Sequence, residues 1–366
     1  MNAARAALAA EYRELLRAQG LEHLVGRTAT PEEEALLIAR ITEQAQRSAA
    51  DYGERNLLPP EPPEPLGGGP RDRYAATSAR IERAVRELSG ELPGPVYVGE
   101  YPHRSFNAEA LAARHGTLLL INTGLHYLLV EVALALNTRV RVAERRPDGG
   151  YDVQPTTEAM ERRRRQADEN LVGSLAAYLL HTDPGRGGKQ EVDGTTRGAL
   201  SYLYADAAET FAVAHEYGHF LAGHLRSTGR RPGGPLPAST EWLRKSHDQE
   251  FEADEIGMLL ALKALDHDEQ QQSPLLRKSI AVTGTFLFFA VDHLLNRVRD
   301  EVPELGGAAI VADHPPSDAR AATLRRTLTD LEGPDIFQLV DATIPILAEH
   351  EGEIIASLRR LLQAAK

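Results

Sequence analysis

Apolar residues recur at helical spacing in Leu8 to Leu16 and again in Glu34 to Gln46, so residues 1–57 are predicted to be an N-terminal helical region. The pattern then stops at Leu58. Pro59, Pro60, Pro62, Pro63 and Pro65, followed by Gly67 to Gly69, cannot continue a helix, and residues 58–72 read as a linker. A helix from about Tyr74 to Leu88 is expected next, with Pro93-Gly94 beyond its end. Val96-Tyr97-Val98 and Gly116 to Asn122 have the composition and length of strands. Gly124 opens a helix of Leu125 to Leu136, and Val140 to Val142 is a candidate further strand. From Thr156 onward the pattern is almost wholly helical, broken by Gly/Pro-rich loops at about 182–198 and 227–240. No internal repeat is visible. The predicted class is α+β, a mostly helical domain over 73–330 with one small β-sheet, and residues 331–366 form C-terminal helices that pack on it.

Composition narrows the choice of function. The chain of 366 residues is 42% hydrophobic and 26% charged, ordinary for a globular protein. Its formal charge of −12 argues against a nucleic-acid partner, because phosphate neutralisation needs a basic surface. The one dense basic run, Arg162 to Arg165, lies among Glu161, Asp168 and Glu169 and reads as a solvated helix face. There is no cysteine, so any metal site must be built from histidine and carboxylates. The N-terminal residues carry early charges and no long apolar stretch, which argues against a signal peptide. Thr117 to Leu136 is interrupted by Asn122, His126 and Glu131, and Ile280 to Val291 is too short to span a bilayer. A cytoplasmic protein without a membrane span is therefore expected; its oligomeric state is not legible.

The candidate chemistry begins at Phe211-Ala-Val-Ala-His-Glu-Tyr-Gly-His-Phe-Leu-Ala-Gly-His224. His215 and His219 are four residues apart, about 40° net on a helix, so both imidazoles leave one face and can share a cation. Glu216 stands about 100° round from His215, beside the metal, where a general base for an activated water belongs. Two histidines in an otherwise apolar helix need partners, and a metal supplies one. Three regions compete for the third ligand. His224 is nine residues from His215 and falls on the opposite side of a continuous helix, which suggests a capping or core residue. Gln249-Glu250-Phe-Glu252-Ala-Asp254 is the better candidate: Glu250 and Asp254 share a face, so one can bind metal while the other holds a ligand histidine. Glu252 points about 200° away from Glu250 on the same helix, and His247 lies about one turn before Glu250.

Taken in order, His215-Glu-x-x-His219, Glu250-x-x-Ala253-Asp254 and His314-Pro315-Pro316-x-x-x-Arg320 resemble the zinc metallopeptidases that include the CAAX prenyl proteases and the HtpX-type heat-shock proteases. Phe106-Asn107-Ala108 and Gly116 to Leu125 are similar to that family's active-site hairpin and the start of its next helix. The likeness covers roughly residues 73–330. It implies His215, His219 and Glu250 as ligands of one Zn2+ per chain, Glu216 as catalytic base and Asp254 as partner of a ligand histidine. It also places His314 and Arg320 in a loop near the active site, with His314 acting at the oxyanion or capping the metal. The implied activity is hydrolysis of a protein or peptide substrate, with the edge strand of the small sheet flanking the zinc cleft and pairing with the substrate backbone; Gly116 to Asn122 is the strand expected at that edge. The family's membrane helices are missing, and residues 143–200 look like an insertion. The His-Glu-Tyr-Gly-His string also resembles the ImmA/IrrE-type and phage-exclusion proteases, which implies the alternative of a latent protease that cleaves one specific partner. A non-catalytic interaction protein is the remaining alternative.

Overall fold

The computed structural model describes residues 3–22, 31–53, 74–101, 106, 108–140, 143–145, 151–153, 157–181, 186–187, 193–224, 247–266, 273–306 and 315–364. In chain order the elements are α1 (Ala3–Ala18), α2 (Pro31–Tyr52), α3 (Ala75–Leu88), β1 (Val96–Tyr101), β2 (Ala108–Ala113), β3 (Gly116–Asn122) and α4 (Leu125–Asn137). A short pair, β4 (Ala143–Arg145) and β5 (Tyr151–Val153), precedes α5 (Glu158–His181), α6 (Thr196–Leu221), α7 (His247–Asp266) and α8 (Pro274–Glu301). The chain ends with α9 (Pro303–Gly306), α10 (Ser317–Glu332), a 3₁₀ turn over Pro334–Phe337 and α11 (Gln338–Ala364). The class is α+β and mostly helical, as the periodicity predicts.

The sheet is mixed, in the order β1-β3-β2: β1 runs parallel to β3, and β2 is antiparallel to it, joined through Arg114-His115. Gly116 to Asn122 is thus the central strand. With both its edges paired it has no ladder left for a substrate, which corrects the expectation that this strand lies at the edge. β2, an edge strand, packs against α6. Among the described residues the second sheet is the antiparallel pair β4-β5. It starts at Ala143 rather than Val140, which lies in a bend, while 141–142 are outside the described residues.

β3 carries the apolar run Leu118 to Ile121 because both its faces are buried. Leu118 and Leu120, with Tyr101 and Leu111, meet Leu8, Tyr12, Leu15 and Leu16 of α1. Leu119 and Ile121, with Val98 and Ala108, face the helical body. Alternating side chains along the strand supply the two layers. α1 also reaches the edge strand β1, where the Tyr12 hydroxyl donates to the Glu100 carbonyl at 2.5 Å.

In the helical body α6 packs against α4, α7 and α8. Thr195 caps the start of α6 by accepting from the Gly198 N–H at 3.2 Å, and Ser273 does the same for α8 from Leu276, with Pro274 in the first turn. α8 has the length and hydropathy to cross a membrane, but most of it is enclosed by the other helices. Its Phe288 and Phe289 pack edge-on against Phe211 of α6, at ring separations of 5.7 and 5.4 Å. α11 contributes Val340, Leu347, Ile355 and Leu358 to the same core.

Candidate metal centre

α6 and α7 cross at backbone contact. A Cβ built on Gly218 of α6 would stand 2.7 Å from the Ala253 carbonyl oxygen of α7; one on Gly257 of α7 would stand 2.8 Å from both N and Cα of His215. No side chain fits at either place, so the glycines permit an approach that larger residues would prevent. The close crossing brings Glu250 of α7 under the two histidines of α6.

His215, His219 and Glu250 converge with ligand atoms all within 4.8 Å of one another, forming a buried group able to hold a metal ion. The two Nε2 atoms are 3.1 Å apart. Glu250 turns one carboxylate oxygen to each imidazole, 3.5 Å to Nε2 of His215 and 3.4 Å to Nε2 of His219. Glu216 is fully buried beside the group, its Oε1 3.9 Å from Nε2 of His215. Both carboxylates are at 0% exposure, which ordinary solvated acids of a helix surface are not.

Asp254, one turn beyond Glu250, meets the far side of His215, with Oδ1 2.9 Å from Nδ1. Arg320, expected in a loop, lies instead in the first turn of α10, and it grips Asp254 through two hydrogen bonds, Nε at 2.8 Å and an Nη at 2.6 Å. The same guanidinium lies 3.7 Å from Glu250 and over the Phe289 ring at 5.2 Å. α10 is pinned at its start as well, where the Ser317 hydroxyl donates to Asp292 of α8.

Burial would push the Asp254 carboxyl up, but the Arg320 charge and its hydrogen bonds outweigh it and hold Asp254 below the ordinary range. For His215 burial pulls down, yet hydrogen bonds to Asp254 and Glu250 outweigh it and the imidazole is raised. Among the described residues, three buried carboxylates, Glu216, Glu250 and Asp254, lie in this cluster with one buried guanidinium, Arg320, a formal excess of two negative charges when all are ionised. Burying uncompensated charge is costly. A divalent cation held by His215, His219 and Glu250 would balance this excess. The donor set, two imidazoles and a carboxylate with no thiolate, fits a catalytic site that keeps a position open.

Of the sequence candidates, His215, Glu216, His219, Glu250, Asp254 and Arg320 are brought together here. His247 is exposed at the first position of α7 and is not one of the three ligands. His314 and Asn107 lie outside the described residues, as do the linker 58–72 and the loop 227–240. Two residues have contacts that helical spacing did not anticipate. His224 stands with its Nδ1 2.9 Å from Nδ1 of His219, and its Nε2 is 3.0 Å from Glu252. The signal for His224 was Gly223 immediately before it, a helix stop that invalidates the continuous-helix geometry. Among known proteins, no family model, curated protein or solved structure matches the chain.

Proposed function

We propose that the chain is a zinc-dependent endopeptidase. His215, His219 and Glu250 would hold the metal, which when bound polarises a carbonyl and makes a water acidic near neutral pH. Glu216 takes the proton from that water on Oε1 or Oε2 and later returns it to the departing amine. Asp254, fixed by Arg320, keeps His215 oriented with Nε2 towards the metal. Substrate pairing, if it uses the sheet, falls to an edge strand, of which β2 is the one packed on α6.

The observation that carries this reading is Glu216. Two imidazoles and a carboxylate already suffice to hold a metal, and a purely structural site has no use for a further wholly buried carboxylate at its side. The same ligands also suit Fe(II), but a base next to them favours hydrolysis. The likeness to the CAAX protease and HtpX-type peptidases supports the same assignment of His215, Glu216, His219, Glu250 and Asp254.

One observation favours the latent form of this reading, a protease that acts on a single partner. His215 is 5% exposed and Glu216, His219 and Glu250 are at 0%, a deeply enclosed centre of the kind a latent protease would keep from general substrates. The test is cleavage of an unfolded protein, and of the chain itself, by the zinc-loaded wild type and by Glu216→Gln. Zinc retained with cleavage lost by about a hundredfold or more supports the proposal. A wild type that binds zinc but cleaves neither substrate points to the partner-specific protease, and a Glu216→Gln variant as active as the wild type ends the proposal.

A further inference from the structure

α6 ends at Leu221, and Gly223 turns the chain with φ of 74°, a conformation glycine adopts without steric cost. On a continuous helix His224 would stand about 140° round from His219. After the turn its ring folds back under the helix end and is buried, edge-on to His219 at 5.1 Å. Its Nδ1 lies 2.9 Å from Nδ1 of His219, and its Nε2 lies 3.0 Å from Oε2 of Glu252.

We infer that His224 and Glu252 are positioning residues for His219, a hydrogen-bonded arm that fixes the tautomer and ring plane of that metal ligand. The inference rests on the metal reading above. A carboxylate only accepts, so the hydrogen between His224 and Glu252 is on Nε2 of His224. Nδ1 of a neutral His224 is then an acceptor, and the hydrogen it receives is on Nδ1 of His219. His219 therefore presents a bare Nε2 to the nest, where Nε2 of His215 is 3.1 Å away and Oε1 of Glu250 is 3.4 Å away. A ligand imidazole requires that tautomer. Asp254 does this directly for His215; Glu252 does it for His219 through one intervening ring. One helix, α7, thus supplies a metal-facing carboxylate at Glu250 and the outer anchor of each histidine, at Glu252 and Asp254. The two anchors differ: Asp254 is buried on Arg320, whereas the Glu252 side chain is 59% exposed.

The experiment measures zinc affinity by chelator competition, together with the visible spectrum of the Co(II)-loaded full chain, for wild type, His224→Ala, His224→Asn and Glu252→Ala. His224→Ala is expected to weaken zinc by about ten- to a hundredfold and to change the Co(II) spectrum. His224→Asn, whose side-chain oxygen offers an acceptor near the place of Nδ1, stays within about threefold of wild type, and Glu252→Ala falls between the two. His224→Ala with wild-type affinity and spectrum overturns the inference and leaves the metal reading standing. So does His224→Asn as weak as His224→Ala, because filling the space would then be all that position 224 does. A wild type that takes up no zinc overturns both.

Discussion

Gly257 lies against the backbone of His215, with room for a hydrogen and nothing larger: a Cβ there would meet N and Cα of His215 at 2.8 Å. The contact sets the separation of α6 and α7, and hence the reach of Glu250 to the two imidazoles. The geometry of the candidate metal site is therefore decided by a residue with no ligand atom of its own.

Gly257→Ala should accordingly part the helices. The expected cost is about 1–3 kcal/mol of stability from overpacking, together with zinc affinity lowered at least about tenfold. Thermal melting and chelator competition on the same preparation check both. Unchanged zinc affinity would mean that the helices absorb the methyl elsewhere.

Glu250→Ala should lose the bound metal. Elemental analysis of wild type against this variant is the measurement: about one zinc in the first and close to none in the second. Full occupancy in the variant would remove Glu250 from the ligand set and return His247 and Glu252 to consideration.

Asp254 and Arg320 should couple. Arg320→Ala leaves the Asp254 charge buried without its partner and is expected to cost about 3–5 kcal/mol. Asp254→Ala should weaken zinc about ten- to a hundredfold by freeing His215. The double variant should lose less stability than the two single losses combined, since it leaves no stranded ion of the pair. Simple additivity in denaturant titrations would contradict the coupling.

Glu131 of α4 predicts a pH dependence away from the metal. It is 2% exposed, and burial raises its pKa from 4.5 to about 7. The folded chain thus binds a proton that the unfolded chain has released, so this residue lowers stability progressively as pH rises from about 4.5 to 7. The shift corresponds to roughly 3 kcal/mol once pH exceeds the folded value. Glu131→Gln should match wild type near pH 4.5 and be the more stable above pH 7. A stability difference that does not change over this range would show that Glu131 is not the group responsible.

Local features made much of this legible. Four-residue spacings placed His215 with His219 and Glu250 with Asp254, because side chains that far apart on a helix must share a face. β2 was not legible, since Ala108-Glu-Ala-Leu-Ala-Ala113 is built of good helix formers and becomes a strand only by pairing with β3. The central place of β3 was hidden for the same reason: an apolar run reports burial on both faces but not which strands lie beside it. Packing of α1 on the sheet is a contact across about a hundred residues with no local signature. His224 is buried at the end of α6, as a capping or core residue should be, but its contact with His219 was hidden because one left-handed glycine changes the direction of every side chain after it.

The close crossing of α6 and α7 also bears on how relatives of this protein could be recognised. Gly218 follows His215 by three residues, and Gly257 follows Asp254 by three. A distant chain that keeps the histidines and acids but carries bulky residues at these two places could not bring its helices close enough to assemble the centre. The searchable signature is therefore His-Glu-x-Gly-His followed by Glu-x-x-Ala-Asp-x-x-Gly, in which the smallest residues discriminate as sharply as the reactive ones.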